Sequence, residues 1–298
     1  MEEKKRLIII DSNALLHRAF HALPPLSTKS GQETGAVYGF LLTLFKAIKD
    51  LKPDYIVACF DTKAKTFRHK KFEEYKAQRP ATPQGIISQI PIAKEVLQAL
   101  KIPVFATEGF EADDLIATIC DTAQKQDNSL EIYILSGDLD NLQLVNNEIK
   151  VYTLGKGIKD TIIYDKIKVK ERFGVEPEQM NDFKALTGDQ SDNIPGVLGI
   201  GKKTAADLIN KFGNIENLYK EISEGMANIK IRTKDLLLNN KEKAYLSKEL
   251  VETKKDVDIR FSLEGCKFGG FNQKEAGALF NKLEFNTLIN RLPQIDNE

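Results

Sequence analysis

Leu7-Ile-Ile-Ile-Asp11 is the stretch from which the fold is read. An uninterrupted apolar run rich in β-branched residues is the signature of a strand buried on both faces, as in a parallel sheet. An aspartate closes the run, and the pattern repeats. Tyr55-Ile-Val-Ala-Cys-Phe60 is followed by Asp61, and Ile102-Pro-Val-Phe105 leads to Glu111-Ala-Asp-Asp114. Glu131-Ile-Tyr-Ile-Leu135 precedes Asp138 and Asp140. Helices are expected after Asp11, over Ala36 to Leu51, near Gln84 and from Glu111. Strands alternating with helices predict an α/β fold, a parallel sheet flanked by helices. Beyond Val151 the strand signals weaken; Thr161-Ile-Ile-Tyr164 is read as one more strand, and Asp165 onward as mainly helical.

A single aspartate after a strand is ordinarily a turn or N-cap residue. Four successive strands that each deliver carboxylates to one edge are not explained by capping, and that edge is where such sheets bind ligands. Gathered carboxylates repel one another unless cations neutralise them. Magnesium or manganese suits them, because no His or Cys set has transition-metal spacing. His17, His21 and His69 are scattered and read as structural or surface groups. Cys59, Cys120 and Cys266 lie far apart within apolar patterns and read as reduced core residues of an intracellular protein.

A second informative stretch runs from Leu186 to Ala205. Asp189 and Asp192 lie at i and i+3, so on a helical turn both carboxylates would face one way. Gly196, Gly199 and Gly201 then lead into Lys202, Lys203 and Thr204, where a new helix is expected. Glycines let backbone amides approach a phosphate, and a helix N-terminus offers those amides unpaired. The eight-residue spacing of a nucleotide P-loop is absent. The pattern suits a helix-hairpin-helix that grips a duplex backbone without reading bases.

The chain has 298 residues, 42% hydrophobic and 29% charged. Its length suggests about two domains, divided here into an α/β region over 1–175 and a helical region over 176–298, with the hairpin element at about 186–212. The formal net charge is zero, but setting aside nine clustered acids leaves 34 against 43 Lys and Arg. The remainder is therefore basic, as phosphate binding requires. No apolar run approaches the ~20 residues of a membrane span, and no secretory signal is read at the N-terminus. A cytoplasmic protein with no membrane partner is expected. Between Thr62 and Arg79, seven Lys or Arg alternate with Phe67, Phe72 and Tyr75. Cations that track phosphates and rings that stack on bases suit single-stranded nucleic acid.

Five motifs together carry a family resemblance: Ile10-Asp-Ser-Asn13, Phe60-Asp-Thr-Lys-Ala-Lys-Thr-Phe-Arg-His69, Glu108-Gly-Phe-Glu-Ala-Asp-Asp114, Ser136-Gly-Asp-Leu-Asp140 and Thr187-Gly-Asp-Gln-Ser-Asp-Asn-Ile-Pro-Gly196. The chain resembles the 5′-nuclease domain of bacterial DNA polymerase I, part of the flap endonuclease family, over nearly its whole length. The resemblance implies a PIN-like or resolvase-like domain with a helical arch at about 62–85. It carries the family's acids onto Asp11, Asp61, Glu111, Asp113, Asp114, Asp138, Asp140, Asp189 and Asp192, with none missing. It implies two Mg²⁺ or Mn²⁺ ions, roughly 4 Å apart in such sites. Asp11, Asp61, Glu111 and Asp113 would hold the first and Asp138, Asp140 and Asp189 the second, with Asp114 and Asp192 as outer or shared ligands. Lys76, Arg68 and Arg79 would lie near the scissile phosphate, as would Arg18.

The stretch Gly196–Ala205 resembles the family's helix–three-turn–helix, which implies DNA contacts from Gly199, Gly201, Lys202, Lys203 and Thr204 and a site for K⁺. Tyr75 joins the DNA-binding set from its place in the basic segment. The implied activity is structure-specific cleavage of DNA carrying a 5′ flap or nick, with 5′-3′ exonuclease action, 5′-phosphate products and acceptance of RNA primer ends, in replication and repair. Leu139 departs from the family's lysine, and Gln84 and Gly85 from its acidic pair. No polymerase motif follows, so a segment of a polymerase chain and a free-standing nuclease both stand, with a monomer expected. Two other readings remain at this point: a DNA-binding module with an inactive metal site, and a PIN-type nuclease directed at RNA.

Overall fold

The computed structural model describes residues 4–155 and 160–294. Its strands are β1 (Arg6–Asp11), β2 (Tyr55–Cys59), β3 (Val104–Phe105), β4 (Glu131–Leu135), β5 (Ile149–Leu154) and β6 (Thr161–Tyr164), in one sheet of order β3-β2-β1-β4-β5-β6. Leu7 pairs with Tyr55 on one side and Ile132 on the other, both in parallel. Strands β1 to β5 are mutually parallel, and β6 runs antiparallel to β5. A parallel crossover needs a dozen or more residues, and six separate Leu154 from Thr161, so the chain can only turn back. The parallel sheet is therefore mixed at this edge. Strand β5 was not foreseen: Lys150 and Thr153 interrupt its apolar pattern. Lys150 is accommodated by an ion pair with Glu131 at 3.1 Å.

Alternate residues of β1 serve two cores. Leu7 and Ile9 pack with the helix Ala112–Gln126, and Ile8 and Ile10 with the helix Gly35–Leu51. All four are fully buried, each contributing about 1.5–3 kcal/mol of apolar transfer. Strand order reverses between β1 and β4, which opens a crevice at their carboxyl ends.

Gly174, in the left-handed region at φ 75°, ends the helix Lys166–Phe173, and a helical region follows. There Met180–Thr187 packs against Lys202–Phe212 and Lys241–Val251. The last segment returns to the sheet. Phe271, Phe280, Phe285 and Leu288 fill the Ile8 core, and Phe280 stacks on Phe45 with ring centroids 6.0 Å apart. Part of the region after residue 175 thus packs on the sheet. Among the described residues, no helix is long and apolar enough to cross a membrane.

Candidate metal and nucleic-acid site

Asp11 ends β1 and caps the helix Ser12–Ala22, accepting the Ala14 amide at 3.1 Å. Its other oxygen accepts Ser136 Oγ, just beyond β4, at 2.6 Å. That bond joins the two strands of the switch point. Asp61, after β2, accepts the Ala112 amide at 2.8 Å. This ties it to the start of the helix Ala112–Gln126, whose N-cap is Glu111. Asp113 lies in that helix's first turn, where the helix dipole favours a carboxylate. Asp138 accepts the Asp140 amide at 3.0 Å.

These acids act on one another. Burial raises the Asp11 carboxyl to about 7, with Asp61 and Asp138 adding repulsion. Burial and the neighbouring Asp138 raise Asp140 to about 7. Asp113 is pushed well above the usual range by burial and by Asp11, Asp138 and Asp140, and Asp61 is raised by burial and Glu111. Asp138 is the acid that Asp11, Asp113 and Asp140 all feel. A set made wholly of carboxylate oxygens fits a hard divalent cation. Three buried polar atoms with no protein partner adjoin it in sequence: Ser12 Oγ, Thr62 Oγ1 and Asn141 Oδ1. Among the described residues no three His, Cys, Asp or Glu side chains stand close enough together to hold a metal ion by themselves. The pocket is one of charge, which Mg²⁺ tolerates because it keeps several waters and borrows substrate phosphates.

Lysines hold the rim. Lys184 on the helix Met180–Thr187 bridges Asp140 and Asp189, the latter at 2.9 Å. Burial works against the Asp189 anion, but Lys184 and Ser191 hold its carboxyl below the usual range. Sequence reading missed Lys184, because a lone helical lysine reads as a solvated one. Lys76 Nζ lies 2.9 Å from Glu111 and 3.7 Å from Asp192. Lys76 also occupies the left-handed region at φ 56°, while its amide bonds the Asp192 carbonyl at 2.9 Å. A non-glycine residue in that region costs on the order of 1 kcal/mol or more and persists where its surroundings fix it. Arg79 pairs with Asp192 and donates to the Ser191 carbonyl at 3.1 Å.

The 62–85 segment, expected as an arch, lies close to the acids. It holds the helix Phe67–Lys71 and a turn of helix at Gln84–Ile87, and between them it is strapped down onto the acids. Tyr75 was expected to stack on a base, but its ring is 3% exposed. It packs with Ile194, Leu250 and Val251, and its hydroxyl donates to Glu111 at 3.1 Å and Asp192 at 3.2 Å.

Asp114 and Arg68 are engaged with one another. Asp114, expected as an outer or shared metal ligand, is fully buried and accepts four protein donors: Arg68 twice at 2.8 Å, the Glu111 amide at 3.0 Å and the Lys254 amide at 2.9 Å. Both its oxygens are taken. Arg68, expected near a phosphate, is 2% exposed and also donates to the carbonyls of Leu250 and Glu252. The pair is a structural clamp. Arg68→Ala would leave a buried carboxylate unpaired, at a cost of about 3–5 kcal/mol. Urea denaturation should show that loss of stability; a midpoint like that of the parent would overturn the clamp reading.

Arg18 bonds the carbonyls of Leu154, at 2.6 Å, and Gly155, tying the first helix to the end of β5. The departures have local reasons. Leu139 packs on the core. A side chain at position 85 would meet Glu33 Oε2 and Phe20, so a carboxylate from elsewhere already stands beside Gly85.

The loop 188–201 joins the acids to the hairpin. Asp189 and Ile194 exchange backbone bonds of 2.9 and 2.8 Å. Gly188 and Gly196, both left-handed, press so closely that a methyl on Gly196 would collide with the Gly188 amide. Gly199 lies against Leu236, whereas space around Gly201 is open. Gly201 caps the helix Lys202–Phe212, with Lys202 and Lys203 exposed and Thr204 half-buried.

The chain matches the family model of the 5′-3′ exonuclease N-terminal resolvase-like domain over residues 6–174 and that of the C-terminal SAM fold over 175–274. It is 42% identical over 292 residues to DNA polymerase I of Bacillus subtilis (strain 168), covering 98% of this chain and 33% of that protein. The chain thus spans about a third of the length of that polymerase. It is 38% identical over 291 residues to a 5′-3′ exonuclease of Aquifex aeolicus (strain VF5), covering 98% of this chain and 96% of that one. Among solved structures, the T5 D15 protein co-crystallized with metal ions gives a TM-score of 0.68 at 23% identity, over 83% of this chain and 89% of the other. The catalytic core of Rad2 in complex with DNA substrate gives 0.61 at 16% identity, over 98% and 93%. These two likenesses speak for the fold.

Proposed function

The chain belongs to the 5′-3′ exonuclease family, and from that premise we propose that it hydrolyses DNA phosphodiesters at the junction of a displaced 5′ strand. The observation that carries this reading is the mutual crowding of Asp11, Asp113, Asp138 and Asp140 at the switch point of the sheet. Asp11, Asp61, Glu111 and Asp113 would hold one Mg²⁺ or Mn²⁺, and Asp138, Asp140 and Asp189 a second, with Asp192 outside them. Bound there, the ions would activate water and neutralise charge on the scissile phosphate and the departing 3′ oxygen.

The chain's own residues do the rest. Lys76 and Arg79 already sit on Glu111 and Asp192; an incoming phosphate competes for the same donors and gains charge-assisted bonds. Arg18 keeps the end of β5 in place behind the pocket. The hairpin amides at Gly199 and Gly201, with Lys202, Lys203 and Thr204, would grip the duplex backbone, with K⁺ as a candidate ion there. Backbone contacts select shape over sequence, so a 5′ flap or nick is the substrate, RNA primer ends are accepted and products carry 5′ phosphates. The protein would act as a monomer in the cytoplasm, in replication and repair. Attachment to a polymerase, as in the Bacillus relative, belongs to the same proposal.

A 5′-labelled flap, a matched duplex and a single strand, each with and without Mg²⁺, test it. One main metal-dependent product at the flap junction is expected; tight binding without product in Mg²⁺ or Mn²⁺ would leave only a binding module. An RNA flap cut in preference to DNA would favour the RNA-directed reading. For the hairpin, Lys203→Ala should lower the slope of log K against log salt by about one. Fluorescence anisotropy over a salt series gives that slope, and an unchanged value would remove Lys203 from the interface.

A further inference from the structure

Neutral and charged partners are distributed unequally around the acids. Glu111, Asp140, Asp189 and Asp192 are each held by a lysine or arginine. Asp113, which Asp11, Asp138 and Asp140 all repel, is held by the amide of Asn141, whose Nδ2 donates to its Oδ1 at 3.0 Å. Asn141 lies in the turn Asp140–Leu144 and is fully buried. Its Oδ1 is reached by no protein donor. With Asp113 ionised, as cation binding requires, only the NH₂ end of the amide can face it.

A buried acceptor left unpaired costs about 1–3 kcal/mol, so Asn141 is an expensive residue for a purely structural place. Its donor does what a lysine could not. It orients the Asp113 carboxylate while leaving the negative charge uncompensated, so the carboxylate remains available to a divalent cation.

We propose that Asn141 is a positioning residue for divalent-cation binding, acting through its hydrogen bond to Asp113. The inference rests on the metal reading above. Groups that orient a ligand in this way typically contribute tenfold to a hundredfold in metal affinity.

The test is calorimetric titration of Mn²⁺ into the DNA-free chain, with thermal melts in EDTA beside it. Asn141→Leu, of similar shape, should bind Mn²⁺ about tenfold more weakly. Its melting temperature in EDTA should stay close to the parent's, because relief of the unpaired acceptor offsets the bond that Asp113 loses. Asn141→Thr keeps one hydroxyl donor at similar volume and should lose less affinity; it carries the test should the leucine variant fail to fold. Asp113→Asn is the control. Weakened Mn²⁺ binding in Asp113→Asn with parental binding in Asn141→Leu, or in Asn141→Thr if that variant stands in, overturns the proposal and leaves the metal reading standing. Parental binding in Asp113→Asn removes Asp113 as a ligand, and the proposal falls with it.

Discussion

Asp138→Ala should lower flap cleavage by about a thousandfold or more while leaving flap affinity, measured without divalent metal, within about threefold of the parent. Asp138 is the carboxylate that Asp11, Asp113 and Asp140 all repel. Its own hydrogen bonds are local: its carboxylate accepts the Asp140 amide and its amide donates to Ser136 Oγ. Its removal therefore costs little packing and lowers the charge density at the centre of the pocket. The hairpin, which would carry duplex affinity, is not bonded to it. Single-turnover cleavage and anisotropy on the same substrate separate the two effects. Near-parental turnover would mean that the acids gather for some reason other than catalysis.

Metal-free protein should melt about 5 °C or more higher at pH 5.5 than at pH 8, and Mg²⁺ should restore stability mainly at pH 8. Asp11 and Asp140 titrate near 7, and Asp61 and Asp113 are raised as well. Their unfolded values lie near 4. Between pH 4 and 7 the folded chain thus binds more protons than the unfolded chain, and stability falls as pH rises through that window. The loss is on the order of a few kcal/mol, about 2–4 °C each for a chain of this size. His17 and His69 are lowered, chiefly by burial, and act in the opposite direction. They are only half-buried, so the carboxylates should dominate. A cation at 100 times its Kd returns about 2.7 kcal/mol. Calorimetric melts in EDTA and in Mg²⁺ at both pH values decide it; a metal-free protein more stable at pH 8 would contradict the crowding.

Legibility in the sequence followed the range of the interactions. Asp11, Asp61 and Asp138 could be read because each follows a strand, and repetition made them a set. Strand β5 hid behind Lys150 and Thr153, and the Lys150 charge is paired only once Glu131 arrives from the neighbouring strand. Tyr75 stood among lysines and read as a stacking ring, yet its neighbours in space come from Ile194 and Leu250. Asp114 looked like one more acid because its partners, Arg68 and Lys254, lie 46 and 140 residues away. Asn141 carried no signal beside an acidic motif that already had an explanation. Local chemistry was visible in the string; pairing between distant segments was not.

The interlocked glycines of the 188–201 loop have a consequence for accuracy. Two carboxylates, Asp189 and Asp192, and the proposed duplex grip at Gly199 to Lys203 belong to one continuous piece of backbone, closed by the contact of Gly188 with Gly196. A duplex seated on the grip would lie at a set distance from the acids, counted in ångströms of peptide. The loop would then act as a gauge, fixing how many nucleotides separate the junction from the cut. A product population of one length is the mark of such a gauge, and an inserted residue between Gly196 and Gly199 would blur it into a ladder.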